Sequence, residues 1–348
     1  MKQFLLIGGA GFIGSELQKV IDPRTITVYD KFTSISHSTN TLRQSANSGA
    51  EVVVGDVCNR DDVESFVRTS PAPEGLLYLA AETGTGRSLY NCHLNANVNV
   101  AGLANVLDML AKYEKFPKRI VLTSTRAVYG EGPYRNKDTS EIYYPAPRSR
   151  AQLDAGTFEF PNSAPIAANA SQHTPRPVNV YGSTKLAQEH LLLNWAQSFG
   201  IPLYIFRLQN VYGAGQSLSN PYTGVLIHFI RQLKAGNSIH IFEKGGITRD
   251  FVHVSDVARL LKLGLLGDGT PGIYDCGSAT RVALEDVAEI LRKIVDGPPI
   301  ICTTEYRLGD VRHATADITE TLRHFNWQPE ISLTSGLEDL FSWAYSQL

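Results

Sequence analysis

The stretch that most constrains this chain is Gly8-Gly9-Ala10-Gly11-Phe12-Ile13-Gly14-Ser15. It follows Phe4-Leu5-Leu6-Ile7, which reads as a buried strand, and precedes Glu16-Leu17-Gln18-Lys19-Val20-Ile21, which reads as a helix. A strand that passes through a glycine turn into a helix can cradle a pyrophosphate. The helix start, Phe12 and Ile13 included, offers free N–H groups and about half a positive charge. Gly8 permits the tight turn, Gly11 lets backbone approach phosphate, and Gly14 lets helix and strand lie close. A glycine triplet alone also suits an ordinary strand–helix turn. The next strand, Thr25-Ile26-Thr27-Val28-Tyr29, ends at Asp30, close to the roughly 20-residue interval expected of an acid that holds an adenosine ribose. Such a carboxylate repels a 2′-phosphate and favours NAD. Lys31, a cation, leaves NADP open. Asp56 and Val57, after Glu51-Val52-Val53-Val54-Gly55, fit a site beside the adenine.

At 348 residues the chain can bury a large core and is expected to form two lobes. With 32 basic and 34 acidic residues its net charge is −2, which argues against nucleic acid or an anionic membrane as main partner. Cysteines 58, 92, 276 and 302 form no C-x-x-C pair and no metal-ligand spacing, so no metal is expected and the thiols read as reduced. The first residues read as a strand from Lys2 rather than a secretion signal. No uncharged apolar run approaches the ~18 residues a membrane span needs. A cytoplasmic protein is the expectation. No internal repeat is evident.

Apolar strands alternate with helical patterns over about the first two hundred residues. Leu76 to Ala81, Arg119 to Thr123 and Ile201 to Arg207 read as strands, and Val98 to Lys112 has helical apolar spacing. The pattern predicts an α/β fold: a Rossmann-type, doubly wound parallel sheet covered on both faces. Residues 131–177, rich in Pro, Ala, Ser, Asn and Tyr, break the rhythm. They read as an irregular insertion, either a lid or a surface excursion. The boundaries expected are 1–206 for the dinucleotide-binding part and 207–348 for a smaller mixed α/β substrate lobe. Helices are expected near 223–235 and 283–295, and the sheet may take strands back from the second lobe.

Tyr181-Gly182-Ser183-Thr184-Lys185 opens a helical run from Leu186 to Phe199. Four residues apart, Tyr181 and Lys185 share one helix face. An ammonium close by would lower the phenol below its usual ~10 and fit it to take a proton from a sugar hydroxyl. A solvated lysine at a helix start has the same spacing. Thr125, with Ser124 before it, closes the strand Val121-Leu122-Thr123. In an open parallel sheet that end faces the ligand crevice, where a hydroxyl can hold a reacting oxygen.

With these motifs in this order the chain resembles the extended short-chain dehydrogenase/reductase family, in its NAD-dependent sugar epimerase/dehydratase branch. The resemblance rests on the glycine turn, Gly55-Asp56-Val57, Leu79-Ala80-Ala81, the Thr125 segment, Tyr181 with Lys185, Arg249 to Val257 and Arg307 to His313. It implies that Thr125, Ser124, Tyr181 and Lys185 are catalytic. It places Asn99 and Leu79-Ala80-Ala81 near NAD, with Tyr181 and Lys185 beside the nicotinamide. It puts Asn210, Arg249 and Arg307 on a substrate diphosphate, and Asp310 on the nucleotide ribose. His253 and His313 read as hydrogen-bonded structural residues.

The resemblance further implies a nucleotide-sugar 4-epimerase: oxidation at C4, turning of the 4-keto sugar, and reduction from the other face. A 4,6-dehydratase of the branch carries an acid and a base directly after the catalytic hydroxyl. Here those positions hold Arg126 and Ala127. The segment Arg207 to Gly224 is most similar to deoxysugar 4-epimerases acting on dTDP-L-rhamnose and related sugars. UDP-glucose or UDP-N-acetylglucosamine 4-epimerase is the near alternative, a sugar reductase a further one. A non-catalytic NAD-binding protein is remote, since both Tyr181 and Lys185 remain. Helices 97–112 and 185–199 are apolar over more than one face and are expected to form a four-helix dimer interface or to be buried within one chain.

Overall fold

The side chains of Phe4, Leu5, Leu6 and Ile7 are all buried, so both faces of this strand must be covered. The computed structural model describes residues 3–33, 49–218 and 224–348, and it places β1 (Phe4–Ile7) inside a parallel seven-stranded sheet. β2 (Ile26–Asp30) and β3 (Glu51–Val54) lie on one side of β1. β4 (Gly75–Tyr78), β5 (Ile120–Thr125), β6 (Leu203–Leu208) and β7 (Gly272–Cys276) continue the sheet on the other. The order is β7-β6-β5-β4-β1-β2-β3, with every neighbour parallel. Chain direction across the sheet switches between β1 and β4, so a crevice opens above their carboxyl ends.

Among the described residues, five helices cover the sheet: α1 (Phe12–Val20), α2 (Arg60–Thr69), α3 (Gly102–Lys112), α4 (Val180–Ser198) and α5 (Val254–Leu266). α1 and α5 pack on one face through Leu17, Val257, Leu261 and Leu265. α2, α3 and α4 pack on the other through Val63, Leu103, Leu107 and Leu192. α3 continues a helical run from Cys92, interrupted by a π-helical turn over Asn97–Ala101.

A third cluster of buried apolar residues forms the smaller lobe. It joins helices Val225–Lys234, Leu284–Ile294 and Leu333–Gln347 around Phe229, Ile230, Leu291 and Leu340. Short strand pairs stitch this lobe to the sheet edge, among them Asn210–Tyr212 with Phe251–His253.

The 131–177 segment corrects the reading of an irregular insertion. It contains a three-stranded antiparallel sheet, Tyr134–Asn136 with Ile142–Tyr143 and Ser163–Pro165, and a short helix Arg150–Asp154. Its anchor is ionic. Arg148, 7% exposed, donates to Glu131 (3.1 Å), to Glu243 of the smaller lobe (2.6 Å) and to the carbonyl of Asp310 (2.9 Å). Arg312 adds bonds to Glu159 (2.7 Å) and Glu243 (3.3 Å). Buried charges persist only when matched in this way.

Candidate active site

The glycine turn is held by sterics. Gly8 has φ +78°, and a Cβ there would lie 2.5 Å from the Ala80 nitrogen. A Cβ on Gly14 would lie 2.3 Å from the Gly9 carbonyl oxygen. Gly11 differs: its Cβ would meet only the Gly8 carbonyl oxygen, at 3.5 Å, an ordinary contact. The protein therefore does not itself require glycine at 11, whereas a ligand lying on that backbone does. α1 begins there without a side-chain cap, so its first turn keeps N–H groups for an anion. A dinucleotide pyrophosphate fits this donor set.

At the end of β2, Asp30 is buried and accepts from the N–H of Ala10 (3.0 Å) and of Phe32 (2.9 Å), which fixes its carboxylate beside the glycine turn. Lys31 pairs with Asp56 at 2.6 Å. Burial raises the Asp56 carboxyl, but Lys31 and the Cys58 N–H outweigh it and hold it below the usual range. The Lys31 ammonium is therefore engaged by Asp56, which departs from its reading as a phosphate receiver. Val57 is buried, and its carbonyl accepts from Asn105 at 2.9 Å. Leu79 and Ala80 bond through their N–H groups to the Ile7 carbonyl, and Leu79 and Ala81 line the crevice. Asn99 departs from expectation. Its amide bonds both backbone groups of Glu82 (2.8 and 3.0 Å) and the Thr184 hydroxyl (2.9 Å), pinning the loop after β4 to α4.

Two strand ends bring the reacting groups together. Thr125 closes β5 and caps the following turn by accepting from the Ala127 N–H at 3.2 Å. Asn179 caps α4 by accepting from the Gly182 N–H at 2.8 Å. The Ser88 hydroxyl accepts from the Tyr181 N–H at 3.1 Å, and a Cβ on Gly182 would lie 2.5 Å from the Ala127 carbonyl oxygen. These contacts set the Tyr181 phenol close to the Thr125 hydroxyl in the crevice. Burial raises the phenol above its ordinary value, while the Thr125 hydroxyl and the nearby Arg126 charge oppose the rise.

Lys185 lines the same crevice as Tyr181, one turn further along α4. Its Nζ donates to Gln188 one turn further on, and burial pushes the ammonium down to about 7 against the pull of Glu189. Ser124 is likewise turned inward. Its hydroxyl donates to Glu189, which takes Arg207 at 2.7 Å. Arg207 then donates to Tyr129 (3.0 Å), and Tyr129 to Asp275 (2.9 Å). Ser124 thus supports the strand end from behind.

The substrate-side arginines already have protein partners. Arg249, 5% exposed, donates to the carbonyls of Thr248 (2.8 Å), Val311 (2.9 Å) and Arg312 (3.1 Å) and faces Asp310 at 3.6 Å. Arg307 is exposed and lies over the Phe242 ring at 5.2 Å. Arg126 is the guanidinium the sequence reading overlooked. It lines the crevice with Tyr181 and Thr125, and its Nε donates to Asn210 at 2.8 Å. Its position directly after Thr125 was the signal. The crevice measures about 410 Å³, ample for a ligand the size of a sugar nucleotide. Of the segment up to Gly224, residues 219–223 lie outside the described residues.

Residues 4–150 and 153–277 match the NAD dependent epimerase/dehydratase family. The chain is 38% identical to dTDP-L-rhamnose 4-epimerase of Burkholderia thailandensis, over 100% of this chain and 96% of that protein. It is 27% identical to a putative UDP-glucose 4-epimerase of Methanocaldococcus jannaschii, over 97% of each. Its fold is similar to that of UDP-glucose 4-epimerase from Thermotoga maritima, solved with UDP-glucose, at a TM-score of 0.81 and 24% identity over 99% of each chain.

Proposed function

The chain belongs to the NAD-dependent epimerase/dehydratase family, and from that premise we propose that it is an NAD-dependent nucleotide-sugar 4-epimerase acting on a dTDP- or UDP-linked hexose or deoxyhexose. The observation that carries this reading is the Tyr181–Thr125 pair, set in the crevice that the glycine cradle also lines. The similarity to a dTDP-L-rhamnose 4-epimerase along the whole chain supports the deoxysugar choice.

In this reading Gly8, Gly11 and Gly14, with the N–H groups of Phe12 and Ile13, hold the pyrophosphate of NAD. Asp30 takes the adenosine ribose, with Leu79, Ala80 and Ala81 along the far wall. Bound NAD supplies the hydride acceptor and donor at C4. Tyr181, as the phenolate, takes the proton from O4 as the C4–H bond breaks and returns it once the 4-keto sugar has turned over. Thr125 holds the same oxygen and shares its developing charge. Lys185, poised near neutrality, carries or releases a proton beside the phenol at little cost. Expulsion of water across C5 and C6 would call for an acid and a base next to Thr125, and Arg126 and Ala127 provide neither. Leu191 and Leu193 on α4 stay partly exposed, as does Phe199, which supports a homodimer through α3 and α4. Among the described residues no helix is long and apolar enough to cross a membrane. A cytoplasmic location is part of the proposal.

Incubation with a panel of dTDP- and UDP-sugars, followed by NMR, should show inversion at C4. Loss of water to a 4-keto-6-deoxy sugar would replace the epimerase by a dehydratase, and an unchanged panel would remove the reading.

A further inference from the structure

We propose that Glu189 and Arg207 are a positioning pair: one buried ion pair clamps the chain on both sides of Thr125 and ties it to the helix that carries Tyr181. The inference rests on the 4-epimerase reading, in which Thr125 and Tyr181 share the reacting oxygen. The strand end that presents Thr125 has backbone support on one side. Among the described residues, β5 pairs with β4 as far as Leu122, opposite Tyr78, while its ladder with β6 runs on to Thr125, opposite Leu208. Its further tie to β4 is a 3.3 Å bond from the Thr123 hydroxyl to the Tyr78 carbonyl. Towards the crevice, side chains must hold the strand end.

Glu189 and Arg207 do so from within. Both are buried, and the guanidinium meets the carboxylate as a fork, Nε to Oε1 at 3.1 Å and Nη2 to Oε2 at 2.7 Å. The Ser124 hydroxyl, directly before Thr125, donates to Glu189 Oε1. Beyond Thr125, the Tyr129 hydroxyl accepts from Arg207 Nη1 at 3.0 Å and donates to Asp275 at 2.9 Å. Asp275 is held in turn by the Ala170 N–H at 2.6 Å. Ser124, Arg207 and Asp275 stand in register on neighbouring strands β5, β6 and β7, so the bonds cross the sheet at one level. Glu189 lies on α4, about two turns beyond Tyr181. A single carboxylate therefore sets the helix of Tyr181 against the strand of Thr125. Stability alone does not call for charges here, since apolar side chains of like volume often match or better a buried pair. The placement of a reacting hydroxyl gains from them, because a shift of ~1 Å at a reacting group can cost about a hundredfold in rate.

Steady-state kinetics on the full chain with its NAD tests this in the parent, in Ser124→Ala, in the double variant Glu189→Leu with Arg207→Met, and in the triple variant. NAD content and thermal melting report folding. Ser124→Ala and the double variant should each lower kcat by about tenfold or more, with KM held within about twofold. In the triple variant the two losses should not multiply, because Ser124 acts through Glu189. A folded double variant with the parent's kcat overturns the proposal. Losses that multiply also overturn it, by making Ser124 act on its own. If the double variant unfolds, Glu189→Gln takes its place: a lowered kcat at constant KM supports the proposal, and an unchanged kcat overturns it. Crystal structures of the parent and Ser124→Ala read the separation of Tyr181 and Thr125 without any substrate. A widened separation supports the pair, and an unchanged one overturns it. A parent that inverts no nucleotide sugar overturns instead the 4-epimerase reading, and the crystal separation then decides the positioning pair.

Discussion

The two edges of the crevice treat their polar groups in opposite ways. At the β1–α1 edge, sterics and hydrogen bonds with Tyr29, Asp30 and Gln18 shape the turn, and the first N–H groups of α1 stay uncommitted. At the smaller-lobe edge the cations are engaged by the protein. Arg249 takes three carbonyls, Arg312 and Arg148 take Glu131, Glu159 and Glu243, and Arg307 lies over Phe242. A ligand can therefore dock at the first edge without rearranging anything, whereas the second edge is built around its own ions. Arg249, expected on the diphosphate, also holds the lobe in shape.

The sharpest way to break this contrast lies between the edges. Tyr181→Phe should cut turnover by about 10²–10⁴-fold while NAD stays bound, read by steady-state kinetics and cofactor content. Unchanged turnover would sever the chemistry from the phenol. Next in size, Arg148→Met leaves the buried Glu131 without a cation and Glu243 with Arg312 alone, at 3.3 Å, and should cost about 3–5 kcal/mol in chemical unfolding. A loss under about 1 kcal/mol, the range of exposed pairs, would show the insertion's ionic anchor to be dispensable.

The glycines then separate sterics from binding. Gly14→Ala meets a backbone oxygen at 2.3 Å and should destabilise by roughly 1–3 kcal/mol. Gly11→Ala should leave the melting temperature nearly unchanged and lower NAD retention. Equal effects of the two would mean that Gly11 serves packing, and the cradle argument would lose its best support.

The smallest effect is electrostatic. His313, then Arg312, hold the Glu159 carboxyl down to about 2 from its usual 4.5, although burial works against them. A carboxyl depressed in the folded state adds stability above its unfolded pKa and loses it as pH falls through the folded value. Stability should therefore decline from about pH 4.5 towards pH 2, and Glu159→Gln should flatten that decline in a pH series of melts. Glu159 is half exposed, so solvent keeps the effect below about 1 kcal/mol.

Much of the sheet was legible in the sequence because β1, β2, β4, β5 and β6 are apolar on both faces, a pattern that few other structures produce. The glycine turn and the Tyr181 helix were legible for the same local reasons. The insertion was not, since strands of two or three residues leave no periodicity, and Arg148 finds Glu243 across 95 positions. Nor could residue type show that Arg249 would be taken up by backbone carbonyls while Arg126 would line the crevice. Spacing put Lys185 on the face of Tyr181 but could not show that Gln188, also within reach, takes its Nζ.

β7 and α5 come from the far side of the first smaller-lobe elements, yet β7 completes the sheet beside β6 and α5 packs against α1. The two lobes are thus laced together. A cut after residue 206 would fall inside β6, remove β7 with it and lay bare Leu17 and its surroundings. Neither half is a cassette that can be transplanted, and any change of sugar preference has to be made one crevice loop at a time.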